Sequence, residues 1–118
     1  MWRDDAYLLD MLLAARKVRE FTTGVTRDQF LSNQVLQHAV MRLVQIIGEA
    51  ARKISPDFKR AHDEVPWRAI VAMRHRLVHD YVAIIPEKVW GVVESDIPAL
   101  IPLLAPLIPP EAPEDASR

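Results

Sequence analysis

An all-α fold, an antiparallel bundle of four to five helices, follows from three features of the 118 residues. Apolar residues recur at helical spacing through most of the chain, and no alternating run persists long enough to build a sheet. The breaks between periodic stretches carry capping residues or prolines. Half of the residues are apolar and 26% are charged, the balance of an ordinary core. One domain over residues 1–110 is expected, with a frayed tail at 111–118.

Leu8, Leu9, Leu12, Leu13 and Ala15 define a first helix over residues 5–21, with Asp4 or Asp5 as its N-cap. Thr22-Thr23-Gly24 breaks it, and Thr26 with Gln29 has capping-box spacing for the next start. Ser32 or Asn33 restarts the chain into a second long helix. Its apolar face runs from Val35 and Leu36 through Val40, Leu43 and Ile47 to Ile54. Ser55-Pro56-Asp57 closes that helix, and one helical turn is expected near Phe58 to His62. Val65-Pro66-Trp67 opens a third helix, expected to reach Val78 or His79. Pro86 starts a fourth, through Val89, Trp90 and Val93, and Asp96 can cap the segment after it. Pro98, Pro102 and Pro106 predict a kinked or broken last helix, because an interior proline removes a hydrogen bond and clashes with the preceding turn. Residues 97–108 are apolar nearly all round, which favours a subunit interface. Trp2, Trp67 and Trp90 read as core or interface anchors.

The absence of cysteine excludes a disulfide framework, a thiolate nucleophile and any zinc site that uses cysteine. With only three glycines there is no phosphate-cradling loop, so ATP hydrolysis is not expected. The opening residues have no apolar run of signal-peptide type and no stretch approaches 18 uninterrupted apolar residues, so a cytoplasmic location is expected. Net charge is −1 but uneven. Residues 52–79 hold seven basic and three acidic side chains, whereas 80–118 hold two basic and seven acidic. The basic middle, with Arg52, Lys53, Lys59, Arg60, Arg68, Arg74 and Arg76 beside His62, His75 and His79, reads either as an electropositive patch or as a solvated face.

The run Met73-Arg74-His75-Arg76-Leu77-Val78-His79-Asp80-Tyr81 restricts function most. At about 100° per residue from Ile70, Arg74 lands at about 40°, inside the stripe formed by Trp67, Leu77, Val78 and Tyr81. A guanidinium stays charged, so one placed there calls for an anion: a carboxylate, or a ligand phosphate. On the same wheel Arg68, His75 and His79 form a polar flank, and a last-turn position for His79 favours its imidazolium. Arginine beside histidine suits RNA cleavage without a metal. An imidazole takes the 2′-hydroxyl proton and a guanidinium neutralises the developing phosphorane. The alternative is structural, with Arg74 braced against Glu49 or another carboxylate and His79 closing the helix. His75 and His79 also have helical metal-ligand spacing, which Asp80 or His62 could complete, but the glutamate of the metalloprotease motif is absent and no metal is expected.

Arg74, His79 and Tyr81 resemble the Arg-x4-His-x-Tyr motif of HepT-like toxins of the HEPN superfamily. The likeness extends to Tyr7-Leu8-Leu9-Asp10, residues 46–51, Pro66-Trp67-Arg68-Ala69-Ile70 and Val89-Trp90, in order and spacing. The resemblance implies a dimeric endoribonuclease, the toxin of a type VII-like toxin–antitoxin pair, in which Arg74 and His79 of both subunits face a shared cleft. It needs no cofactor and cuts RNA, with transfer RNA as the family-based expectation. His75 follows the arginine where the family often has asparagine; His75, Arg68 and Arg76 would position RNA. The implied partner is an MntA-like minimal nucleotidyltransferase antitoxin that transfers AMP to Tyr81 and so blocks the site. A competing expectation is a non-catalytic adaptor that binds such a partner and merely presents Tyr81.

Overall fold

The computed structural model describes residues 2–79 and 83–109, with the main chain alone for Trp2 and His79. Its first long helix, α1 (Trp2–Thr22), buries Leu8, Met11, Leu12, Ala15 and Val18 against α3 (Gln34–Lys53), which contributes Val40, Val44, Ile47 and Ala51. The two run antiparallel, because the start of α1 lies beside the end of α3. Asp4, only 4% exposed, accepts hydrogen bonds from the Ser55 N–H at 2.9 Å and the Ser55 hydroxyl at 2.7 Å. Asp4 therefore serves as a tertiary tie and not as the N-cap, since α1 already begins at Trp2.

Gly24 takes a positive φ of 75°, a backbone form that side chains disfavour, and so lets the chain leave α1 sharply. The capping box then forms as its spacing requires: Gln29 N–H donates to the Thr26 hydroxyl and Thr26 N–H donates to the Gln29 side chain. This starts the short α2 (Arg27–Leu31). Its C-terminal carbonyls are met by buried Gln37, whose amide donates to Phe30 O at 2.9 Å and Leu31 O at 3.2 Å. Asn33 is the cap of α3, its side chain accepting from Leu36 N–H at 3.0 Å. The expected single turn is α4 (Pro56–Ala61), capped by Ser55.

The third core helix, α5 (Trp67–Arg76), starts on Pro66 and buries Trp67, Ile70 and Met73. It packs on α3 where Gly48 leaves room: a Cβ there would meet Ile70 O at 3.5 Å. The helix ends at Arg76, short of Val78 or His79, and its closing residue is Leu77. The Leu77 carbonyl accepts the Ile85 N–H at 2.8 Å, while Val78 pairs with Ile84 and His79 with Ala83 in a two-residue antiparallel ladder, β1 (Val78–His79) with β2 (Ala83–Ile84). The β-branched residues here favour extended pairing over a further helical turn. His79 consequently sits in a strand and not in a helical last turn.

From Pro86 to Leu107 the chain is continuously helical: α6 (Pro86–Gly91), a π-helical turn (Val92–Asp96), α7 (Ile97–Leu104) and a 3₁₀ turn (Ala105–Leu107). The prolines widen and tighten turns without breaking the run. Pro98 has no N–H to give the carbonyl four residues back, and the Ile97 N–H bonds across five residues to Val92 O. Asp96 is itself helical and caps nothing. By length and composition this run would pass for a membrane span, yet Val89, Val92, Ile97, Leu100 and Leu104 are buried in the bundle, where α7 packs on α1. Trp90 lies against buried Phe30 with ring centroids 5.3 Å apart, joining α6 to α2.

Candidate functional site

Arg74 projects from the last turn of α5 into the seam with α3, half-buried, at the waist of two adjoining clefts. One, of about 220 Å³, is walled by His38, Met41, Arg42, Val78 and Ile84; the other, of about 210 Å³, by Gly48, Glu49, Arg52, Val71 and His75. Gln45 and Arg74 belong to both. The β1–β2 ladder is thus part of the first cleft, since Val78 and its partner Ile84 both line it.

The brace to Glu49 is not made. Among the described residues, no acidic side chain lies within ion-pair distance of the Arg74 guanidinium, and no hydrogen bond holds it. Glu49 stands on the cleft wall but takes its hydrogen bond from the Gln45 amide, 3.1 Å away. A cation held in a half-buried cleft with no counter-ion among the described residues has its capacity to bind an anion unspent there. Arg42 and Arg52 are exposed and likewise make no ion pair or side-chain hydrogen bond among the described residues.

The other residues singled out by sequence separate. His75 is exposed on the wall of the second cleft, with Arg74. Arg68 is exposed in the first turn of α5 and lines neither cleft. Arg76 points to the far side, where it meets Asp96 at 3.4 Å beside an apolar groove formed by Ala69, Met73, Ala99 and Leu100. The main chain of His79 follows the Val78 wall directly, and its side chain lies outside the described residues, as do Asp80 and Tyr81. Residues 111–118 also lie outside them. His62 stacks on Phe58 and approaches Glu64 at 3.7 Å, so its contacts tie it to α4. Among the described residues no three His, Asp or Glu side chains gather as a metal site.

Sequence reasoning missed His38, Arg42 and Gln45. The signal was present: His38, Arg42, Gln45, Glu49 and Arg52 fall within about 80° of arc on α3, a polar stripe beside its apolar face.

Comparison with known proteins identifies the family of the chain. The family model described as "Ribonuclease HepT-like" matches residues 11–107. A protein named "Probable ribonuclease HepT" from Thermococcus cleftensis is 42% identical over 94 residues, 80% of this chain and 86% of that protein. "Putative RNase MJ1380" from Methanocaldococcus jannaschii is 38% identical over 95 residues, 80% of this chain and 87% of its own length. No solved structure gives a significant match.

Proposed function

Because the chain belongs to the HepT-like ribonuclease family, we propose that it is a metal-independent endoribonuclease whose reaction centres on Arg74 and His79. The half-buried Arg74 guanidinium, without a carboxylate partner among the described residues and open to two clefts, carries this reading.

In the proposed reaction a phosphodiester enters the seam between α3 and α5 and meets Arg74. His79 takes the proton of the adjacent 2′-hydroxyl, and the freed oxygen attacks phosphorus. The bond to the 5′-oxygen breaks, that oxygen leaves as a hydroxyl after taking up a proton, and a 2′,3′-cyclic phosphate remains. Arg74 offsets the negative charge that grows on the equatorial oxygens, where a guanidinium in a partly desolvated cleft counts for most. The nucleophile belongs to the substrate, so DNA is spared. His75, on the wall beside Arg74, orients the strand; Arg68 and Arg76 attract RNA from outside the clefts.

The finer reading follows the family. The single domain over residues 1–110 acts as a homodimer, partly through the outward residues of 97–108 such as Pro98, Ala99 and Pro102, since Ile97, Leu100, Ile101 and Leu104 are taken up by the core, and works in the cytoplasm as the toxin of a toxin–antitoxin pair. Transfer RNA is its substrate class. A nucleotidyltransferase antitoxin silences it by adding AMP to Tyr81, two residues from His79, where a bulky anion obstructs RNA and competes for the arginines.

Purified protein incubated with RNA, beside His79→Ala, tests the assignment. Cleavage leaving cyclic phosphate ends, abolished in the variant while helical content and assembly persist, is the expected result. Full activity in His79→Ala refutes the catalytic role. A protein that binds the nucleotidyltransferase but leaves all RNA intact supports the adaptor alternative.

A further inference from the structure

Three arginines, not one, line the seam. Along α3, Arg42 and Arg52 are ten residues and about 15 Å apart on the same stripe, and Arg74 of α5 enters between them. Each flanking arginine has its own cleft, and neither has an acidic partner among the described residues. Three spaced cations without counter-ions among the described residues suit a polyanion better than a single small anion, whose charge one guanidinium would satisfy. Both clefts are open and smaller than the roughly 300–1,000 Å³ that enclose a whole drug-sized ligand, so each admits part of a longer chain.

The clefts also differ. The first sets His38, Arg42 and Gln45 beside half-buried Val78 and Ile84, with no acidic side chain among its lining residues, so a base can lie against the His38 imidazole there. The second offers Glu49, held by Gln45, beside Arg52 and His75, a polar wall with a carboxylate that accepts from the exocyclic amine of a base. A duplex would have to be opened to place its bases there; a single strand already presents them.

Resting on the ribonuclease reading above, we infer that α3 carries a two-sided track for single-stranded RNA, with Arg42 and Arg52 as positioning residues for the phosphates on either side of the one that meets Arg74. They act through binding and alignment, not on the reacting atoms.

The test uses a fluorescent single-stranded RNA and the full chain. Binding is measured in a His79→Ala background across a salt series, and cleavage in the active protein. Arg42→Gln and Arg52→Gln should each weaken binding about ten- to a hundredfold, the usual range for one charge-assisted contact. Each should lower the slope of log affinity against log salt by about 0.7. Arg42→Lys and Arg52→Lys, which keep the charge, should retain the slope, and in cleavage the glutamine variants should raise KM more than they lower kcat. Arg27→Gln, in the first turn of α2 and on neither cleft, serves as the control that leaves both unchanged. If the parent protein cuts RNA while either glutamine variant binds and cuts with unaltered slope and KM, the two-sided track is overturned and the ribonuclease reading stands. If the parent neither binds nor cuts RNA, both fall.

Discussion

Replacing Arg74 with methionine should separate activity from stability in a way that a structural arginine could not. The change keeps an unbranched stem for packing against the seam and removes the charge together with its N–H donors. Breaking a buried ion pair strands its partner and costs about 3–5 kcal/mol. Arg74 has no such partner among the described residues, so nothing is stranded. The expected change in unfolding free energy lies within about 0.5 kcal/mol of zero, as for substitutions away from buried networks. Cleavage, in contrast, should fall about a hundred- to a thousandfold, the effect of deleting one preorganised donor to transition-state charge. Urea unfolding followed by far-UV circular dichroism gives the first quantity and initial rates on labelled RNA give the second. A stability loss above about 2 kcal/mol with near-normal cleavage would refute the reasoning and restore the brace.

Asp4→Ala leaves the Ser55 N–H without its acceptor at the junction of α1, α3 and α4 and should cost about 1–3 kcal/mol in urea unfolding; an unchanged midpoint would contradict the tie. Gly48→Ala adds a methyl that meets Ile70 O at ordinary contact distance and removes a helix-breaking residue, so it should gain up to about 1 kcal/mol; a lower melting temperature would show that the α3–α5 contact has no room for a methyl. RNA cleavage should survive excess chelator unchanged; activity lost there and restored by zinc or manganese would defeat the metal-free mechanism.

Local rules made most of the bundle legible. Thr26 with Gln29, Asn33 and Pro86 mark helix starts by chemistry carried within a few residues, and all three act at those starts; Ser55, read as closing α3, also caps α4. The failures have distant causes. Asp4 looks like a cap until Ser55, 51 residues away, claims its carboxylate. Asp96 looks like another until Arg76 does the same. The end of α5 was unreadable because the pairing of Val78 with Ile84 depends on residues further along the chain. In the site, the sequence singled out Arg74 and His75, which share a cleft, but grouped Arg68 and Arg76 with them through an electropositive run that the helix distributes to different sides. The α3 wall escaped notice because a helix face matters only once its neighbour is known.

The place where α5 stops has a functional corollary. Arg74 is fastened to a core helix through Ile70 and Met73, whereas His79 belongs to a ladder of two residues per strand, below the size at which paired strands hold themselves together. Such a ladder opens at a small fraction of the free energy that melts the bundle. Under the proposed mechanism the two halves of the motif would therefore part company on gentle warming, and cleavage would be lost reversibly below the temperature at which the long helices melt.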